Sequence, residues 1–118
     1  MPSPNAAGDA VNMDELNEIM DNDLELIREC FTDFIREWPV QYVEIKSAVL
    51  EKNGRKINES AHKLKGTLKY LAAEKASQAA YCLESAGKES DFSGITEKLE
   101  NLKNECRRVV DYIKDFNP

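Results

Sequence analysis

Residues 92–113 read FSGITEKLENLKNECRRVVDYI. The apolar positions of this stretch follow steps of three and four residues: Phe92, Ile95, Leu99, Leu102, Cys106, Val109 and Ile113. An α-helix brings residues at these steps onto one face. The stretch therefore predicts a long helix, capped by Ser90 or Asp91, that packs along the seam of a helical bundle.

The same periodicity recurs upstream of that stretch. It predicts further helices over residues 13–20, 23–37, 39–52, 55–71 and 74–86. We expect Trp38-Pro39 to separate the second helix from the third, because proline disfavours the helical conformation in the residue before it. Asn53-Gly54 and Gly87 are expected to be helix stops. No segment alternates as a strand does, and short connections favour antiparallel neighbours. The predicted fold class is all-α, an antiparallel up-and-down four-helix bundle with short additional N-terminal helices.

Length and composition bound the class of protein. The chain has 118 residues, of which 42% are hydrophobic and 32% charged, as in a soluble single-domain protein. We expect residues 1–11 to be a disordered lead and residues 12–118 to be the bundle. No apolar run approaches the roughly 20 residues that span a bilayer, and the N-terminus lacks a signal-peptide pattern. The three cysteines, Cys30, Cys82 and Cys106, lack metal-ligand spacing and are interpreted as small core residues in a reducing cytoplasm.

Charge is distributed unevenly around the only histidine, His62. The formal net charge of −6 argues against general nucleic-acid binding. Residues 52–69 nevertheless carry six lysines and arginines against one glutamate, so this window is positive while the rest of the chain is strongly negative. Helical spacing places Lys65, Gly66 and Lys69 on the same face as His62. The simplest alternative is a solvated lysine face with a surface histidine.

This arrangement suits a histidine that carries phosphate. A neutral imidazole can attack phosphorus through one ring nitrogen while a hydrogen bond to the other fixes the tautomer. The positive charges of Lys65 and Lys69 would offset the negative charge of the phosphoryl group. Glycine inside a helix costs about 1 kcal/mol relative to alanine, so Gly66 indicates that open space matters there, although it could also mark a tight helix crossing.

Several features of an autonomous enzyme are missing from the sequence. There is no P-loop, no glycine-rich nucleotide loop and no second histidine, and no acidic cluster has the spacing of a magnesium site. The sequence therefore predicts a protein that is not an enzyme and has no cofactor of its own. The donor, the metal and the acceptor of the phosphoryl group must come from elsewhere.

Residues 61–67, Ala-His-Lys-Leu-Lys-Gly-Thr, strongly resemble the signature of histidine-containing phosphotransfer (HPt) domains, His-x-Leu-Lys-Gly-Ser. The resemblance extends upstream to the pattern over residues 24–39 and downstream to residues 71–84, and covers about residues 12–116. It implies that His62 accepts the phosphoryl group on Nε2 and that Lys65 and Gly66 lie beside it. It also implies that Glu84, on the following helix, orients the imidazole ring.

The sequence departs from the family pattern at five positions. Thr67 stands where serine is usual and keeps the hydroxyl group. Ala72 stands where many members have a second glycine. Residues that are often small or polar are replaced by Lys63, Lys69 and Tyr70, so the surroundings of the histidine are more basic than usual, which would tune the choice of partner.

The resemblance implies a reversible relay between aspartates of receiver domains. The expected partners are a response-regulator receiver domain, which would supply the aspartate and Mg²⁺, and a sensor or hybrid histidine kinase. The basic face would complement the acidic receiver pocket, and the helices over residues 13–20 and 23–37 would supply apolar contacts. We expect a monomer, because the pattern shows no spare apolar stripe. Two alternatives remain: a non-phosphorylated docking module, and a fragment of a histidine kinase or phosphatase.

Overall fold

The computed structural model describes residues 9–116 and contains five helices in that range. They are α1 (Met13–Ile19), α2 (Leu24–Leu50), α3 (Gly54–Tyr70), α4 (Glu74–Glu89) and α5 (Ile95–Phe116). Helices α2 to α5 pack in a closed ring, each against the next and α5 against α2. The described residues contain no strand. The predicted all-α four-helix bundle is confirmed, with α1 as the additional N-terminal helix. None of the described helices is long and apolar enough to cross a membrane.

Helix α5 presents the predicted apolar row to the core. Its buried side chains are Leu99, Leu102, Cys106, Val109 and Ile113. The start of this helix differs from the prediction. The Asp91 carboxylate accepts a hydrogen bond from the Ser93 backbone N–H at 3.0 Å and closes a turn, so the helix begins only at Ile95. Phe92 therefore packs against the core from the connection rather than from the helix.

Helix α2 runs through Pro39, so the predicted break at Trp38-Pro39 is wrong. A proline inside a helix removes one backbone hydrogen bond and crowds the preceding turn. Here Pro39 faces solvent, and the buried positions continue in phase on both sides of it, from Phe34 to Ile45. Trp38 stacks on Phe34 with centroids 6.4 Å apart and meets Tyr42 edge-on at 6.0 Å. These ring contacts lie within α2, whereas the buried Phe34 and Ile45 and the hydrogen bond from the Tyr42 hydroxyl to the Leu99 carbonyl hold the helix against the bundle on both sides of the proline.

The expected stops at Asn53-Gly54 and Gly87 also need correction. The Asn53 side chain accepts a hydrogen bond from the Lys56 N–H at 3.1 Å, so it caps the start of α3. Gly87 lies within the last turn of α4, where a Cβ atom would come within 2.6 Å of both the Asn58 nitrogen and the Gly54 oxygen. These two glycines allow α3 and α4 to approach closely, and α4 continues to Glu89.

The segment before α1 is packed against the bundle. Ala10 and Val11 are buried, and the Asn12 N–H donates to the Ala72 carbonyl at 3.0 Å. Asp9 pairs with Lys75 at 2.7 Å and also with Arg108 of α5. Residues 9–11 therefore do not belong to a disordered lead. Residues 1–8 of that expected lead lie outside the described residues.

The three cysteines differ in their surroundings. All three are free thiols, but only Cys106 is fully buried, while Cys30 and Cys82 are half-buried. Burial raises the pKa of the Cys106 thiol to about 12. The interpretation of three core cysteines thus applies fully to Cys106 alone.

Helix α2 also carries apolar side chains that nothing in the bundle covers. Val40, Val43 and Leu50 are 61%, 58% and 75% exposed. The expectation of a monomer rested on the absence of a spare apolar stripe, and that premise is wrong for the outer face of α2.

Candidate functional site

His62 lies on the solvent face of α3. The opposite face buries Ile57, Ala61, Leu64 and Leu68, which follow the helical repeat and anchor the helix in the core. The His62 side chain is 67% exposed. The helix thus presents the imidazole to solvent while its backbone is held by the packed face.

Glu84 of α4 contacts the ring of His62. Its Oε2 lies 3.2 Å from His62 Nδ1. The position of α4 is fixed nearby, because the Asn58 side chain donates to the Glu84 backbone carbonyl at 2.9 Å. Burial by itself would raise the pKa of Glu84, but its contacts with Lys65 and His62 hold that pKa below its usual value.

The ionised state of Glu84 determines which ring nitrogen can react. A carboxylate only accepts hydrogen bonds, so the contact requires the proton on His62 Nδ1. In the neutral imidazole, Nε2 then carries the free lone pair. The arrangement therefore makes Nε2 the nucleophilic atom of this residue.

Lys65 does not extend into solvent as the helical spacing suggested. Only 14% of its side chain is exposed, and its Nζ lies 2.7 Å from Glu84 Oε1. The ammonium also lies 5.3 Å from the centroid of the Tyr81 ring. Glu84 Oε1 is buried, and the angle at Lys65 is not that of a hydrogen bond. This oxygen is therefore stabilised by the nearby positive charge of Lys65.

Gly66 borders open space beside His62. A Cβ atom added there would meet no atom within 4 Å. The alternative that Gly66 marks a tight helix crossing is therefore wrong, and that role belongs to Gly54 and Gly87. Packing therefore does not require a glycine at this position, and the effect of the glycine is to leave the space beside the helix open.

Lys69 and Thr67 have surroundings different from those of His62, Glu84 and Lys65. Lys69 is exposed and lines a recess of about 460 Å³ with Glu15 of α1 and Gln78 of α4. The Thr67 hydroxyl donates to the Lys63 carbonyl of the preceding turn at 3.4 Å. Thus the structure joins His62, Glu84 and Lys65 by direct contact, whereas Lys69 lines a recess that contains none of these three residues.

Ala72 explains why glycine is common at its position in the family that the sequence resembles. It joins α3 to α4 with φ of 56°, in the left-handed region. Glycine adopts this conformation without the steric cost that a Cβ atom imposes. Ala72 keeps the same turn, and its carbonyl receives the hydrogen bond from Asn12.

Two residues of the site were missed by the sequence reasoning. Tyr81 precedes Glu84 by three positions, which places both on one face of α4, and this spacing was the available signal. Asn58 similarly precedes His62 by one helical turn. Among the described residues, no three His, Cys, Asp or Glu side chains lie close enough together to hold a metal ion.

Comparison with known proteins identifies the family. The family model of the Hpt domain matches residues 29–112, so the chain belongs to the histidine-containing phosphotransfer family. The crystal structure of histidine-containing phosphotransfer protein B (HptB) from Pseudomonas aeruginosa PAO1 has the same fold, with a TM-score of 0.83. The alignment covers 90% of this chain and 92% of HptB at 13% sequence identity. The comparison with curated proteins finds no match.

Proposed function

We propose that this chain is a phosphocarrier that relays a phosphoryl group between receiver-domain aspartates, with His62 as the reversible acceptor. The observation that carries the proposal is the contact between Nδ1 of the exposed His62 and the carboxylate of Glu84. That contact leaves the Nε2 lone pair free, on a side chain that is 67% exposed and one helical turn from the open space at Gly66. Glu84 therefore orients the ring.

The transfer step balances without a proton leaving the carrier. Nε2 attacks the phosphorus of a receiver acyl phosphate, the bond from phosphorus to the aspartate oxygen breaks, and the aspartate leaves as a carboxylate. The imidazole keeps its Nδ1 proton and becomes positively charged, because both nitrogens are now substituted. Glu84 offsets that charge through the existing hydrogen bond. The same step in reverse then passes the phosphoryl group from His62 to the aspartate of a second receiver.

The partner supplies what the chain lacks. We propose that the receiver domain brings the aspartate and Mg²⁺, and that a sensor or hybrid histidine kinase lies upstream in the relay. The chain itself would then act as a carrier and not as an autonomous enzyme, in the cytoplasm where such partners work. The positive window over residues 52–69 would steer encounter with an acidic receiver pocket.

Apolar contacts for docking are available at the end of the bundle nearest α1. Ile19 and Leu24 flank the connection between α1 and α2 and are 39% and 47% exposed. Tyr70, on the last turn of α3, is 50% exposed. Because α2 and α3 are antiparallel, the start of α2 lies at the same end of the bundle as the end of α3, although α2, with 27 residues against 17, extends further. We propose that these residues form the apolar part of the receiver-binding surface.

The test is transfer from an isolated receiver domain carrying labelled phosphate in the presence of Mg²⁺. We expect label on the wild-type chain that is lost in acid and kept in alkali, as a phosphoramidate is. His62→Gln should take no label yet keep its helical content, because the side chain is exposed. Failure of a panel of receivers to label a folded wild-type chain would instead support the docking module.

A further inference from the structure

Lys65 is held by two groups on α4 that lie on the same face of that helix. Its Nζ lies 2.7 Å from Glu84 Oε1 and 5.3 Å from the centre of the Tyr81 ring. Tyr81 and Glu84 are three residues apart, which makes them neighbours along α4. The ring is itself 48% exposed, so it is not required to fill the core. This geometry gives Tyr81 a function connected with Lys65.

A lysine in this position needs a second contact to remain there. Its ammonium is strongly hydrated and its four-carbon stem has many rotamers, so its removal from water beside Glu84 has a cost that the ion pair alone offsets only in part. A cation–π contact at such a site changes the population of the bound rotamer about two- to fivefold. The ring also shields one side of the ammonium from water. Tyr81 therefore favours the rotamer in which Lys65 pairs with Glu84.

The position of Lys65 matters to His62 through Glu84. Both carboxylate oxygens are occupied, Oε1 by Lys65 and Oε2 by Nδ1 of the ring. If Lys65 left, Glu84 would be a partly buried carboxylate without its cationic partner and would turn toward water or take up a proton. Either change weakens the hydrogen bond that keeps the proton on Nδ1.

We propose that Tyr81 is a positioning residue for phosphotransfer, whose ring holds Lys65 against Glu84 and thereby maintains the Nδ1–H tautomer of His62. Its role in transfer rests on the function proposed above, whereas its effect on the tautomer is a property of the unphosphorylated chain. The two can therefore be tested separately.

The experiment compares Tyr81→Leu with Tyr81→Phe by long-range ¹H–¹⁵N NMR of the unphosphorylated protein. Tyr81→Leu removes the π face at similar apolar volume, whereas Tyr81→Phe keeps it. We expect Tyr81→Leu to raise the ratio of Nε2–H to Nδ1–H tautomer of His62 by up to about fivefold, the limit that the free energy of the cation–π contact sets. Tyr81→Phe should leave the ratio unchanged. Tyr70→Leu, which changes a similarly exposed tyrosine on α3, is the matched control for the tautomer.

Transfer kinetics provide the second measurement. In Tyr81→Leu we expect the rate constant for transfer within the complex to fall by a similar factor, with KM for the receiver domain unchanged and with recovery in Tyr81→Phe. An unchanged tautomer ratio in Tyr81→Leu, or an equal change in Tyr81→Phe, would overturn the proposal. If the wild-type chain accepts no phosphate at all, the function proposed above fails, and the tautomer ratio still decides whether Tyr81 positions Lys65.

Discussion

The two helical glycines Gly66 and Gly87 should respond in opposite directions to the same substitution. A Cβ atom at Gly66 meets nothing within 4 Å, so Gly66→Ala gains helix propensity without a clash. The expected gain in the free energy of unfolding is about 0.5–1 kcal/mol. For a domain of this size that corresponds to a rise in Tm of about 2–6 °C.

At Gly87 the added Cβ would lie 2.6 Å from two backbone atoms, Asn58 N and Gly54 O, and 3.0 Å from Ile57 Cβ. Backbone atoms cannot move aside as a flexible side chain can, so α3 and α4 must separate. Overpacking of this kind costs typically about 1–3 kcal/mol, and the upper end applies here because two contacts are backbone. After the gain in helix propensity of about 1 kcal/mol, we expect Gly87→Ala to lose about 2 kcal/mol.

The assay is urea denaturation followed by circular dichroism, with the slope of the free energy against denaturant checked for constancy. A third variant, Gly66→Gln, separates folding from function, because glutamine is a good helix former but fills the open space. We expect it to be at least as stable as the wild type and to transfer phosphate more slowly. A Gly66→Ala variant less stable than the wild type would refute the open space at Gly66. A Gly87→Ala variant as stable as the wild type would refute the close backbone contacts at Gly87.

Two further predictions concern the carboxylate beside His62 and the buried thiol. The pKa of Glu84 is lowered in the folded state by Lys65 and His62 despite its burial, so its stabilising contribution is fully present above its unfolded pKa of about 4.3 and is lost as the pH falls through the folded pKa. Glu84→Gln should therefore be less stable than the wild type at neutral pH, and denaturation midpoints should converge in acid; a pH-independent difference would contradict this sign. Cys106 is fully buried and its pKa is raised to about 12, so a maleimide should modify it only after global unfolding. Mass spectrometry of the native protein would contradict this if Cys106 reacted as quickly as Cys30 or Cys82.

The helical architecture could be predicted because one-dimensional periodicity determines it. The row from Leu99 to Ile113 on α5 follows the helical repeat and is buried as expected. The errors occurred where tertiary contacts override local preference. Pro39 lies inside a helix whose Phe34 and Ile45 are buried in the core on either side of it, and the Tyr42 hydroxyl donates to the Leu99 carbonyl of α5 at 3.4 Å. No local pattern reveals such packing, since it depends on which helices meet.

The site likewise has features that the sequence could predict and features that depend on tertiary contacts. The exposed position of His62 and the proximity of Glu84 were accessible from helix spacing and the resemblance. The direction of Lys65 was not, because a long side chain on the rim of a helix face can point to solvent or to the neighbouring helix. The pairing with Glu84 and Tyr81 depends on the close approach of α3 and α4 at Gly54 and Gly87, whereas the sequence suggested a tight helix crossing only as an alternative and only at Gly66.

The atom that carries phosphorus is the most direct test of the central claim. ¹⁵N and ³¹P NMR of the chain, phosphorylated by a receiver domain, would show which ring nitrogen is bonded to phosphorus. The account predicts phosphorus on Nε2 of His62 with the proton retained on Nδ1 and hydrogen-bonded to Glu84. Phosphorus on Nδ1, or on any other residue, would contradict it.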